Sequence, residues 1–360
     1  MFIDFILAYW WLLLVEGLAA SAVIGLLVLA APKLVGGEPK SLAGLRASMF
    51  VTALATLSAY IGIIVGVATY LGAGGEAVVY GAVVVSALIV LLQWLFSPYI
   101  INMVYHVREP STPREAALAS VLARIAERSG VRRPKLVIAE TAMPNAFAYG
   151  SPLAGNYVAV TRGLLRLLDS DEVEAVLGHE VGHLKHRDVS WILALSIIPL
   201  AVYFLGRILF YSGLVGGGER REGGGGLALV ALGVALIALS VAFRFLIAHF
   251  NRLREYYADA HSAIVTGKPR SLQRALAKIH YALHSDPRLA EEAQKSSFAQ
   301  PLFIVAPLIE ASGGMLIDAD ILVERLKRQE ENPIYELFST HPPVPKRLRF
   351  LDRFIGASKW

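Results

Sequence analysis

Five long runs in which nearly every position is apolar divide the chain: residues 5–31, 49–71, 77–101, 191–214 and 227–250. Each supplies the roughly 20 helical residues that cross a hydrocarbon core, and buried helices of a soluble protein fit five such runs poorly. Elsewhere the pattern changes. Residues 112–128 place apolar positions at helical spacing, whereas 135–139, 145–150 and 156–161 are short apolar-rich runs separated by Pro and Gly and read as strands. Residues 251–329 read mainly helical, and a Pro-rich stretch around His341 precedes a short amphipathic tail. The pattern predicts a mainly α membrane protein with about five transmembrane helices and one polar α+β domain holding a small sheet. Three spans occupy 1–105, the polar domain takes 106–190 and 251–360, and a span hairpin, 191–250, separates its halves.

Basic residues orient these spans. Lys33, Lys40 and Arg46 lie between the first two runs, the next turn holds only Glu76, and the turn at 216–226 balances Glu219 and Glu222 against Arg220 and Arg221. The positive-inside rule then puts the N-terminus outside and both polar segments in the cytoplasm. The first run is too long for a signal-peptide core and lacks a basic leader, so it reads as a retained span. Glu16 and Arg207 fall at similar depths in this topology. An isolated charge there costs about 3 kcal/mol, so the two are expected to pair or share a wet cavity, unless Arg207 snorkels to the interface.

Composition narrows the chemistry. The apolar share of 55% and mean hydropathy of +0.54 exceed those of ordinary soluble proteins. With no cysteine, any metal must be held by His, Asp or Glu. The net charge of +5 is scattered over short loops without aromatic interleaving, which fits anionic headgroups and excludes a nucleic-acid partner.

Residues 171–188 have helical periodicity, with Asp171 and Glu174 as the expected capping pair. Four-residue spacing puts His179 and His183 on one helical face, as two corners of a zinc tetrahedron require. Glu180 lies about 100° round the helix from His179, near enough to take a proton from a metal-activated water. This is the H-E-x-x-H arrangement of a metalloprotease. A third ligand is still needed. The metzincin pattern would put a histidine where Val189 stands, and His186 suits the helix C-terminus better. Glu255 and Asp259, again four apart, could supply one ligand and one carboxylate orienting a ligand histidine; spacing alone would equally suit an ordinary charged helix face.

Four segments in order, Pro144–Ala148 (P-N-A-F-A), His179–Asp188 (H-E-V-G-H-L-K-H-R-D), Arg254–Asp259 (R-E-Y-Y-A-D) and Ser339–Arg347 (S-T-H-P-P-V-P-K-R), resemble the HtpX family of membrane proteases. That family belongs to the same broad group as the CAAX prenyl endopeptidases. The resemblance implies a zincin-like (gluzincin) catalytic domain in which Glu255 is the third Zn2+ ligand and Asp259 and Asp188 support the site. It implies that His341 and Arg347 hold substrate or the transition-state oxyanion, and that Asn145, Ala146, Phe147 and Ala148 form an edge strand pairing with extended peptide. Family members have two spans before the catalytic helix, where this chain has three. The implied function is endopeptidase action in membrane-protein quality control, on polypeptide substrates, among them membrane proteins, at the cytoplasmic face of the cell membrane and in contact with the lipid bilayer. A CAAX-type protease would carry seven spans. A metal-free scaffold would have no reason to keep Glu180 beside intact ligands, and a transporter would line several spans with polar residues, where only Glu16, Gln93, Arg207 and Arg244 stand out.

Overall fold

The computed structural model describes residues 75–186, 188–215, 225–285, 304 and 318–356. The expected spans at 5–31 and 49–71, and with them Glu16, lie outside the described residues. The described chain divides into two compact units, one of residues 75–92, 192–215 and 225–250, the other of 93–191 and 251–356.

The first unit draws on three helices: α1 (Gly75–Val104), α5 (Asp188–Val215) and α6 (Gly225–Thr266). Among the described residues two segments are long and apolar enough to cross a bilayer, Val83–Val104 and Gly226–Thr266, and Pro199–Leu214 is a shorter apolar helix. Arg207 has a partner on its own helix. Its Nη2 donates to the Tyr211 hydroxyl at 2.5 Å and its guanidinium lies 4.7 Å from that ring.

Helix α6 corrects the sequence reading, which treated 227–250 and the helix carrying Glu255 as separate elements. From position 234 to Thr266 the chain has neither Gly nor Pro, so nothing interrupts the hydrogen-bond ladder. It stops at Gly267, whose φ of 70° is the left-handed conformation that ends helices, two residues before Pro269. At 42 residues the helix is about 63 Å long, roughly twice the thickness of a hydrocarbon core. Residues 227–250 are its apolar part. The turns from Asn251 onward carry the polar side chains and belong to the second unit.

The second unit opens with β1 (Val107–Arg108), a two-residue strand absent from the sequence reading, and α2 (Pro113–Ser129). Thr112 caps α2 in a reciprocal pair with Glu115, and Gly130 ends it at φ 67°. Strands β2 (Lys135–Ala139), β3 (Ala146–Ser151) and β4 (Gly155–Thr161) follow, within a residue of their expected bounds. The sheet order is β1-β2-β4-β3, with β2 and β4 parallel and both outer pairings antiparallel. Among the described residues β3 is therefore an edge strand. Its far end is tied down, because Trp94 Nε1 donates to the Gly150 carbonyl and Ser151 Oγ to the Leu95 carbonyl.

Behind the sheet lie α3 (Arg162–Leu167) and α4 (Ser170–Lys185), then α7 (Pro269–Ser285), α8 (Ala319–Lys327), α9 (Pro333–Phe338) and α10 (Val344–Asp352). One apolar core joins all of these but α9, with Val158 and Val160 of β4, Val176 and Leu177 of α4, Leu276 of α7 and Leu348 of α10 all fully buried. Helix α4 is capped by Asp169 with Glu172, not by Asp171 with Glu174. Leu168 is buried just ahead of the helix, which fixes the entry two residues early. Asp171 and Glu174 instead hold Lys268 Nζ at 2.7 and 2.6 Å, tying the start of α4 to the turn after α6.

Candidate metal centre

The catalytic motif lies on the last two turns of α4, with His179 and Glu180 buried and His183 half-buried. Facing it, α6 delivers Glu255 and Asp259 from one side, both buried. The two helices approach closely because Gly178 and Gly182, four apart on α4, turn bare backbone toward α6. A Cβ on Gly182 would lie 3.1 Å from Ala258 Cα and 3.2 Å from His261 Cβ, and one on Gly178 would lie 3.0 Å from Ser262 Oγ. Ser262 Oγ then donates to the Ala175 carbonyl across the contact at 2.5 Å. Only the four-residue glycine spacing inside G-H-E-V-G signalled this in the sequence. Replacing Gly182 with Val is expected to push the helices apart and weaken metal binding at least about tenfold with every ligand intact. Competition with a chromogenic chelator measures it, and an unchanged affinity would show that this glycine does not set the spacing.

Three donor atoms converge across the gap. His179 Nε2 and His183 Nε2 are 3.1 Å apart, and the Glu255 oxygens stand 3.5 Å from each, Oε2 facing His179 and Oε1 facing His183. One donor atom from each of the three lies within 4.8 Å of the others. A tetrahedral ion with arms of 2.0–2.1 Å has donor-to-donor edges of about 3.3 Å, so the trio fits a zinc-sized ion. Glu255 Oε2 is buried and makes no hydrogen bond among the described residues. Arg347 Nη1 stands 3.5 Å from it, so this oxygen faces positive charge, and a carboxylate oxygen so placed fits a metal donor.

Asp259 stands behind His179, with Oδ1 3.0 Å from Nδ1. Burial pushes the His179 imidazole down, but Asp259 and Glu255 outweigh it and hold the group up at about 9, which marks a place built for positive charge. Arg347 sits behind Asp259. It is fully buried, with Nε and Nη2 donating to the two Asp259 oxygens at 2.8 and 2.7 Å and Nη1 donating to the Ile304 carbonyl. The structure places Arg347 against Asp259 and, through Nη1, 3.5 Å from Glu255 Oε2; the resemblance implies a hold on substrate or the transition-state oxyanion.

His341 also faces the donors, with Nε2 3.7 Å from Glu255 Oε1, and burial pushes its imidazole down to about 4. Its Nδ1 is 3.0 Å from Thr340 Oγ1. Burial pushes the Glu180 carboxyl up, against the pull of His179, His183 and the hydrogen-bonding Ala148 backbone N–H. That contact sets the β3 edge beside the motif. The three of these residues that lie in β3 divide by face. Phe147 packs between Tyr105 and Tyr149, Ala146 joins the main core, and Ala148 packs against it. Asn145 precedes the strand; it exchanges backbone and side-chain bonds with Thr161, and its Oδ1 accepts from the Ile304 N–H at 3.0 Å. Ile304 thus bridges Asn145 and Arg347, a link with no local signal in the sequence. His186 caps α4 with its ring edge-on to Tyr257, outside the donor set. Asp188 begins α5, and its side chain lies outside the described residues.

Comparison with known proteins agrees with this centre. The model of peptidase family M48 matches residues 112–355. A protease HtpX homolog of Aeropyrum pernix is 58% identical over 313 residues, covering 86% of this chain and 98% of the relative. A second, from Thermoplasma acidophilum, is 39% identical over 317 residues, covering 86% and 96%. In fold, the chain is similar to the crystal structure of S. mikatae Ste24p, with a TM-score of 0.51 at 17% identity over 88% of this chain and 68% of that one. The match runs from the cap of α2 past the end of α10 and contains every donor of the centre, so the chain belongs to peptidase family M48 and is a metalloprotease.

Proposed function

We propose that the ion is Zn2+, held by His179, His183 and Glu255, and that the chain is an endopeptidase of membrane-protein quality control. The observation that carries this reading is the convergence of one donor atom each from His179, His183 and Glu255 within 4.8 Å, with Glu180 next to His179 on the same helix. When bound, the ion supplies Lewis-acid polarisation of the scissile carbonyl. Glu180 takes a proton from the attacking water on its carboxylate and returns it to the amine as the carbon–nitrogen bond breaks. His341, neutral at physiological pH and beside Glu255, is placed to donate a hydrogen bond to the oxygen that gains charge in the transition state. Asp259 fixes the His179 ring so that Nε2 faces the ion, and Arg347 fixes Asp259. Asp188 completes this support. An extended substrate lies along Asn145–Ala148, where the edge strand offers backbone pairing beside Glu180.

The membrane reading rests on the two long apolar helices and on α1, which turns Leu88, Leu92, Phe96 and Met103 outward at half exposure or more. With residues 5–31, 49–71 and 191–214 as further spans, five helices cross the bilayer and the metal centre faces the cytoplasm, suiting loops and tails of membrane proteins as substrates. Chelation tests the chemistry. Protein stripped with a chelator should lose casein cleavage and regain it on adding Zn2+; cleavage that survives complete removal of metal sinks the proposal.

A further inference from the structure

Helix α7 ends in another pair of histidines four residues apart, His280 and His284, which the centre above does not use. Their rings stack with centroids 4.0 Å apart and planes 38° from parallel, and both residues are half-buried. His284 Nδ1 lies 2.5 Å from the His280 carbonyl oxygen. A carbonyl can only accept, so Nδ1 carries the ring proton and Nε2 keeps its lone pair. Proteins present imidazole to metals in this way, one N–H on a backbone carbonyl and the other nitrogen toward the ion. The free nitrogen is not otherwise used. His284 Nε2, His280 Nδ1 and the neighbouring Ser285 Oγ are all buried atoms without a hydrogen bond among the described residues. Leaving such an atom buried and unsatisfied is costly, and three within two turns of helix point to a ligand they share.

We infer that His280 and His284 form a second metal site, for a late first-row divalent ion such as Cu2+, Ni2+ or Zn2+. Four-residue spacing places both rings on one face of α7, and imidazole selects these ions over Mg2+ and Ca2+. The site shares no residue with the M48 centre. With two protein nitrogens in place of three donors it binds more weakly, Cu2+ most tightly by the usual order of divalent affinities, and an ion there clamps the last turn of α7.

The test uses the full chain in detergent, carrying Glu180→Gln to prevent self-cleavage, stripped of metal and titrated with Cu2+ or Zn2+. Two ions per chain are expected, of distinct affinity, and the weaker one should disappear in His284→Ala while the tighter one remains. His284→Gln, which keeps a polar side chain, guards against misfolding and should lose the same ion, with retention of the tight ion reporting an intact fold. Glu255→Gln should do the reverse, removing the tight ion and leaving Cu2+ whose electron paramagnetic resonance spectrum shows coupling to two nitrogens. A parent that binds one ion, or a His280→Ala/His284→Ala chain that binds as many as its parent, overturns the inference.

Discussion

Glu180→Gln should lower the rate of peptide hydrolysis about 10²- to 10⁴-fold while leaving the bound metal in place. The size follows from what the substitution removes. Gln has the same shape as Glu and can still accept from the Ala148 N–H, so neither the β3 edge nor the packing of α4 is disturbed. It cannot take a proton from water at neutral pH. Glu180 is absent from the donor trio, so metal content should match the parent. Glu255→Gln supplies the contrast, because it weakens a ligand and should lose activity together with metal. The measurement is single-turnover cleavage of an unfolded polypeptide beside elemental analysis of the same preparation. Loss of metal in Glu180→Gln would make it a ligand or structural support instead of the base, and retained cleavage would give the proton transfer to another group.

What the sequence made legible was whatever repeats locally. The i, i+4 histidines survive folding because helical geometry alone puts them on one face, and the strand bounds at Lys135–Ala139 held because Pro134 and the following turn confine the run. The capping frame of α4 was misread because Asp169-x-x-Glu172 and Asp171-x-x-Glu174 satisfy one rule two residues apart, and burial of Leu168 chooses between them. Glu255 had no local mark. Its role depends on two helices meeting across 76 residues of chain, and that meeting depends on the absence of side chains at Gly178 and Gly182. A resemblance could bring that contact into the sequence reading; periodicity could not. Arg347 is the opposite case, since its motif was recognised while its direction was not. Nothing in S-T-H-P-P-V-P-K-R distinguishes an arginine facing substrate from one turned inward to a carboxylate on another helix.

Arg347→Met should destabilise the second unit by about 3–5 kcal/mol, the usual consequence of removing one partner from a buried ion pair. Methionine occupies much of the volume of the arginine stem, so the loss is mainly electrostatic. Asp259 would remain fully buried with two accepting oxygens deprived of the guanidinium, and the Ile304 carbonyl would lose its donor. At about 2–4 °C per kcal/mol for a domain of this size, the melting temperature should fall by about 10 °C. The charge itself is separable from the shape. Adding Asp259→Asn to Arg347→Met removes the unpaired carboxylate, and the double variant should be more stable than Arg347→Met alone, giving a coupling energy above about 1 kcal/mol in the mutant cycle. The same double variant should nevertheless hold metal more weakly than wild type, because an amide orients His179 less firmly than a carboxylate does. Stability recovered relative to Arg347→Met, together with metal bound more weakly than in wild type, is the result expected of the double variant if Arg347 acts through Asp259. A fall in activity with unchanged melting temperature and unchanged metal affinity would instead put the guanidinium in contact with the substrate.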